Sequence, residues 1–240
     1  MARWDTIQVD GQPMRVYLDV PAGGGAVPGV VVIMHGPGLD RFVEDRVEDL
    51  ARQGYAAIAP DLYHRQPQDG SDMMARIGRL RDPQLIADVD AAAAHLRRIP
   101  DARVSDLAIL GFCMGGRITY LVAGARPAAW RAAGVFYGGN IMRAWGDEPA
   151  PFDLTANIAC PVIGFFGNDD TNPSAADVDE IDAELSRHGK THEFHRYDGA
   201  GHAFLNFTNA DRFRPGPAKE AWAKMLVFLD AHLKTDIARR

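Results

Sequence analysis

Two cysteines in 240 residues exclude a disulfide framework. Cys113 and Cys160 are therefore read as free thiols, which suits a reducing compartment. Cys160, just before Pro161, reads as a small buried hydrophobe. Nor is there a positive excess. Lysine and arginine number 26 against 32 acidic residues, a net charge of −6, which argues against non-specific nucleic-acid binding. The cluster of Arg65, Arg76, Arg79 and Arg81 reads as a solvated face, any member of which could still clamp a carboxylate. No apolar run is long enough to cross a bilayer; the longest, Val27 to Met34, falls well short. Met1-Ala2-Arg3-Trp4-Asp5 lacks the apolar centre of a signal peptide, so a soluble, cytoplasmic protein is expected. Repeats and low-complexity linkers are missing too. His64, His95, His188, His192, His195 and His232 show no metal-ligand spacing, and no metal or organic cofactor is expected.

What is present reads as one domain spanning 1–240, an α/β chain with a three-layer α/β/α arrangement and a mostly parallel sheet. Thr6 to Val9 and Met14 to Val20 flank an Asp10-Gly11 turn. Gly29 to Met34 is a continuous Val/Ile run, the mark of a strand buried on both faces. Strands at Ala56 to Ala59, Leu107 to Leu110, Ala132 to Tyr137, Val162 to Phe166 and Thr191 to Tyr197 follow. Helices at Phe42 to Gln53, Met114 to Ala125, Ala175 to His188 and Pro217 to Leu233 alternate with them. A further helix starts near Asp82, read as its N-cap, with Pro83 at the first helical position and Leu85, Val89, Ala92 and Leu96 in one stripe. Residues 64–81 read as a polar loop, and Arg143 to Asn157 as an irregular lid or cap segment.

In such a sheet the loops after the strands' carboxyl ends gather on one edge and bind ligands. Cys113 lies there in Gly111-Phe112-Cys113-Met114-Gly115, between a strand and a helix. This is the pattern of a nucleophile elbow with sulfur in place of a serine oxygen. An acidic pair, Asp169-Asp170, and then His202 follow downstream, also after strands. Nucleophile, acid and histidine in that order suit acyl transfer: a thiolate attacks, an imidazole moves the proton, and a carboxylate orients the imidazole. Either aspartate could serve. The Met114 and Gly36 N–H groups are candidates for the oxyanion hole; Pro37 has none to offer. Phe42, Tyr137, Trp145 and Phe204 are candidate pocket walls, with Phe207 beside them.

These motifs resemble the dienelactone hydrolase family (carboxymethylenebutenolidases) of the α/β-hydrolases. The likeness runs from about Pro28 to Leu233. It is carried by Pro28-Gly29-Val30-Val31-Val32-Ile33, Gly54-Tyr55-Ala56, Ala59-Pro60-Asp61-Leu62-Tyr63, the Cys113 elbow, Gly167-Asn168-Asp169-Asp170 and Gly199-Ala200-Gly201-His202-Ala203-Phe204. The resemblance implies an α/β-hydrolase fold and a triad of Cys113, Asp170 and His202. It further implies hydrolysis of a small-molecule ester or lactone through an acyl-cysteine, by a monomer or homodimer. Two positions depart from the family pattern. The loop His35-Gly36-Pro37-Gly38-Leu39 lacks the family's glutamate, and Leu205-Asn206-Phe207 stands where a substrate-binding arginine is expected. Asn206 then suggests a neutral or differently placed polar group on the substrate. Thioesterase chemistry, or a redox-sensing or ligand-binding protein on the same scaffold, are the alternatives.

Overall fold

A computed structural model describes residues 1–23, 25–100 and 102–234. The chain opens with a hairpin of β1 (Arg3–Val9) and β2 (Gln12–Asp19), turning at Asp10 and Gly11, both with positive φ. Six further strands follow: β3 (Ala26–Ile33), β4 (Ala56–Pro60), β5 (Arg103–Phe112), β6 (Ala132–Phe136), β7 (Val162–Gly167) and β8 (His192–Tyr197). They form one sheet in the order β1-β2-β4-β3-β5-β6-β7-β8. Pairing is antiparallel from β1 to β4 through β2, and parallel elsewhere. Val30 to Met34 are wholly buried, as a strand covered on both faces must be.

The described residues form six α-helices: α1 (Arg41–Arg52), α2 (Met73–Gly78), α3 (Asp82–Leu96), α4 (Met114–Ala125), α5 (Ala175–Arg187) and α6 (Pro215–Leu229). The chain steps outward from β3 to β4 through α1, then back past β3 to β5 through α3. Right-handed crossovers therefore put α1 and α3 on opposite faces. Joined by the Trp222 Nε1–H bond to Asp49 (2.6 Å), α1 and α6 share one face. The other face carries α3 and α4. The buried apolar side chains of both layers form one continuous core around the sheet.

Three local expectations change. Residues 64–81 are not all loop, because Asp72 caps α2 by accepting from the Ala75 N–H. Asp82 is not the N-cap of α3. Arg81 holds that position without a side-chain bond, while the Asp82 carboxylate is buried against Arg117 at 2.6 and 2.9 Å. A buried guanidinium requires a carboxylate partner, and that demand outweighs capping. Arg143 to Asn157, expected to be irregular, is partly regular and tethered. It contains a 3₁₀ turn at Pro151–Asn157, the Arg143 carbonyl accepts from Arg117, and the Trp145 N–H donates to Asp82 (3.0 Å).

Candidate active site

The carboxyl ends of β3, β4, β5, β6, β7 and β8 lead to His35, Tyr63, Cys113, Tyr137, Asp170 and His202 along one sheet edge. At the centre β5 turns into α4 through Cys113, whose φ of 57° and ψ of −120° are left-handed and strained for a residue with a side chain. Close packing enforces the bend. A Cβ on Gly111 would stand 2.2 Å from the Gly115 carbonyl oxygen, and one on Gly115 would stand 2.4 Å from that of Ile33. Both are backbone atoms that cannot step aside. The bend leaves the Cys113 side chain partly exposed above a buried floor.

His202 acts on Cys113 on one side, favouring the thiolate, and its Nδ1 meets Asp170 Oδ2 at 2.8 Å on the other. Asp170 is buried, and its second oxygen accepts from the Asn172 N–H at 2.9 Å. Its neighbour Asp169 points to solvent. Two backbone donors, Met114 N–H and Gly36 N–H, also reach the sulfur. Burial alone would push the thiol up, yet the His202 hydrogen bond and charge, then these two amides, bring it below its ordinary value. Burial likewise opposes charge on His202, but Asp170 and then Cys113 hold its pKa up to about 10. Both shifts point to a thiolate–imidazolium pair.

The Gly36 amide is aimed by three tethers invisible to pattern reading. The His35 carbonyl accepts from Gly38 N–H at 2.9 Å, which turns the opposite end of that peptide, the Gly36 N–H, toward the sulfur. The Gly36 carbonyl accepts from the Tyr63 hydroxyl at 2.7 Å. The His35 ring, itself buried, lies 2.9 Å from the Asp40 carboxylate that caps α1. The sequence signal for Tyr63 is its place just past β4. For the His35–Asp40 pair there is none beyond proximity in the chain.

The proposed walls divide. Tyr137 stands edge-on to His202 with centroids 5.4 Å apart; its hydroxyl is buried without a hydrogen-bond partner among the described residues. Burial first, and then Cys113, raises its pKa well above the ordinary value. Phe42 and Phe204 are fully enclosed and back the site rather than line an open face. Trp145 is not brought to the sulfur by its ring contact, because it stacks on the Arg117 guanidinium at 3.9 Å. Asn206 uses its Oδ1 to hold its own turn, accepting from the Thr208 N–H and hydroxyl at 3.0 and 2.7 Å. Of the arginines, Arg65 pairs with Asp88 and Asp10, Arg79 pairs with Asp69, and Arg81 binds the Gly78 and Leu80 carbonyls. Arg76 lies flat on the Tyr63 ring at 3.8 Å. Cys160 is buried, its thiol pushed up to about 11 by that burial. Among the described residues no cluster of His, Cys, Asp and Glu could hold a metal ion, and no helix is long and apolar enough to cross a membrane.

Residues 14–233 match the family model of the dienelactone hydrolase family. A protein of Methylorubrum extorquens named for carboxymethylenebutenolidase activity is 34% identical over 226 residues, covering 87% of this chain and 74% of that one. A Bradyrhizobium protein named as a 2-oxo-3-(5-oxofuran-2-ylidene)propanoate lactonase is 30% identical over 236 residues, covering 96% of this chain and 94% of that one. A solved structure from Klebsiella pneumoniae, named for dienelactone hydrolase, superposes with a TM-score of 0.88 at 30% identity. It covers 95% of this chain and 97% of its own. The architecture is the α/β-hydrolase fold.

Proposed function

The chain belongs to the dienelactone hydrolase family, hydrolases of lactones and esters, and we propose that it works by a Cys113–His202–Asp170 triad through an acyl-cysteine. One observation carries this reading: His202 and the Met114 and Gly36 amides converge on a single sulfur, with Asp170 behind the imidazole. The Cys113 thiolate attacks the ester or lactone carbonyl carbon. The carbonyl oxygen takes up the negative charge within reach of the two amides, each such donor being worth about a hundred- to a thousand-fold in rate. As the tetrahedral adduct collapses, the carbon–oxygen bond to the leaving group breaks and the His202 imidazolium protonates the departing alkoxide. In a lactone that alkoxide stays tethered to the acyl chain. Neutral His202 then takes a proton from water, hydroxide adds to the acyl-cysteine, and the thiolate leaves. Asp170 keeps the His202 Nδ1 proton in place throughout.

With no glutamate in the loop His35-Gly36-Pro37-Gly38-Leu39, the lowering of the thiol rests on His202 and the two amides. A free nucleophilic thiol fits a reducing compartment. The test is mass spectrometry after mixing with an activated aryl ester. An acyl adduct on Cys113 that forms and then decays, and is absent in Cys113→Ala, is the expected result. A permanent adduct, or none, would assign Cys113 to a thiol sensor instead.

A further inference from the structure

The roof over the oxyanion loop is made of methionine and isoleucine, with no polar group of their own. A Cβ placed on Gly36 would stand 2.7 Å from Met73 Sδ, 3.2 Å from Met73 Cγ and 3.3 Å from Ile77 Cδ1. Met73 and Ile77 of α2 therefore sit directly on the residue whose N–H reaches the Cys113 sulfur. The helix that carries them buries no residue at all. Met73 is 44% exposed and Met74 67%, two of the few large apolar side chains left in solvent among the described residues. A third, Phe207, is 41% exposed and packs on the Phe42 ring at 5.8 Å. Leaving such area wet is costly unless something covers it. Gly36, which Met73 and Ile77 roof and whose amide acts on Cys113, says what that is: the part of a substrate attached to the attacked carbonyl. Methionine suits the task, because its unbranched thioether adapts to varied apolar shapes. The nearby cation, Arg76, is engaged over the Tyr63 ring at 3.8 Å.

We propose that Met73 and Ile77 form the acyl-recognition face of the site, and that the substrates are esters or lactones with an uncharged, apolar alkyl or aryl acyl group. This rests on the Cys113 hydrolase reading. The test compares acetyl, butyryl and hexanoyl esters of one phenol, together with the hemisuccinate ester. In the wild-type chain kcat/KM is expected to rise about threefold per added methylene. The hemisuccinate should fall at least tenfold below the butyrate. Met73→Ser with Ile77→Ser, both at positions that are not buried, should flatten the series, so that the hexanoyl-to-acetyl ratio of kcat/KM falls toward one.

A flat wild-type series, or a slope that survives the double substitution, overturns the proposal. So does a preference for the hemisuccinate that disappears in Arg76→Ala, which would make α2 a carboxylate clamp. Alkylation of Cys113 by N-hexyl iodoacetamide against iodoacetamide reads the same face without turnover, with the hexyl reagent at least tenfold faster in wild type only. If Cys113→Ala still hydrolyses the acetyl ester, the hydrolase reading has failed, and the alkylation ratio judges the face independently.

Discussion

At the scale of single residues, Cys113 and His202 are one titrating unit, since each owes its shift partly to the other. His202 rises from 6.5 to about 10 despite its burial. A group raised in the folded state contributes stability that is full below its unfolded value and is lost as pH rises through the folded one. Cys113 is shifted the other way, so its contribution is present above its ordinary value of 9.0 and is lost as pH falls through the lowered one. His202 therefore keeps its proton through neutral pH. Steady-state kcat/KM for an aryl ester should decline as pH passes about 10, where the imidazolium proposed to protonate the leaving group is lost. Iodoacetamide should alkylate Cys113 well below the usual thiol range, and His202→Ala should move that titration upward. Asp170→Asn should lower kcat by roughly a thousand- to ten-thousand-fold, because the imidazole loses its orienting acceptor. Asp169→Asn, at a solvent-facing side chain, should leave kcat nearly unchanged; the opposite ranking would reassign the acid.

At the scale of elements, the site depends on how β5 meets α4. Gly111→Ala would set a methyl group 2.2 Å from a backbone oxygen, so strand and helix must separate. A loss of about 3 kcal/mol or more in urea-unfolding stability is expected, together with loss of Cys113 reactivity. The second junction is the Asp82–Arg117 pair, fully buried between α3 and α4. Arg117→Met leaves an unpaired buried carboxylate and should cost about 3–5 kcal/mol; adding Asp82→Asn should restore part of that. The elbow was legible because its glycines are neighbours in the chain. Asp82 was not, because Asp-Pro before an apolar stripe fits both a cap and a buried ion-pair partner. The choice between them belongs to Arg117, which lies 35 positions further on. Helix α2 was missed for a related reason: its six residues show no buried stripe, so periodicity had nothing to register.

At the scale of the whole molecule, one eight-stranded sheet holds every strand of the described residues, and both helical layers close on the same core. That continuity predicts a single folding unit. Tryptophan fluorescence and far-UV ellipticity should change together in urea, with coincident midpoints. Two separated transitions would mean that the antiparallel β1–β2 edge or the β7–β8 edge folds apart from the rest. The same sheet explains why residues as distant as His35 and His202 share a site. Parallel strands bring all their carboxyl ends to one edge, whatever the separation along the chain.

By itself the sequence determined the α/β alternation, the elbow around Cys113 and the chain order of Cys113, Asp170 and His202. These are recorded in local composition: Val/Ile runs, glycine spacing, and polar residues just beyond strands. The family resemblance already favours Asp170 over Asp169; tertiary structure alone decided that Tyr63 and Gly38 aim the Gly36 amide, that Trp145 covers Arg117, and that Met73 packs on Gly36. Each of those is a contact between loops anchored on different strands. Such contacts depend on strand order and loop direction, which no local window of residues contains.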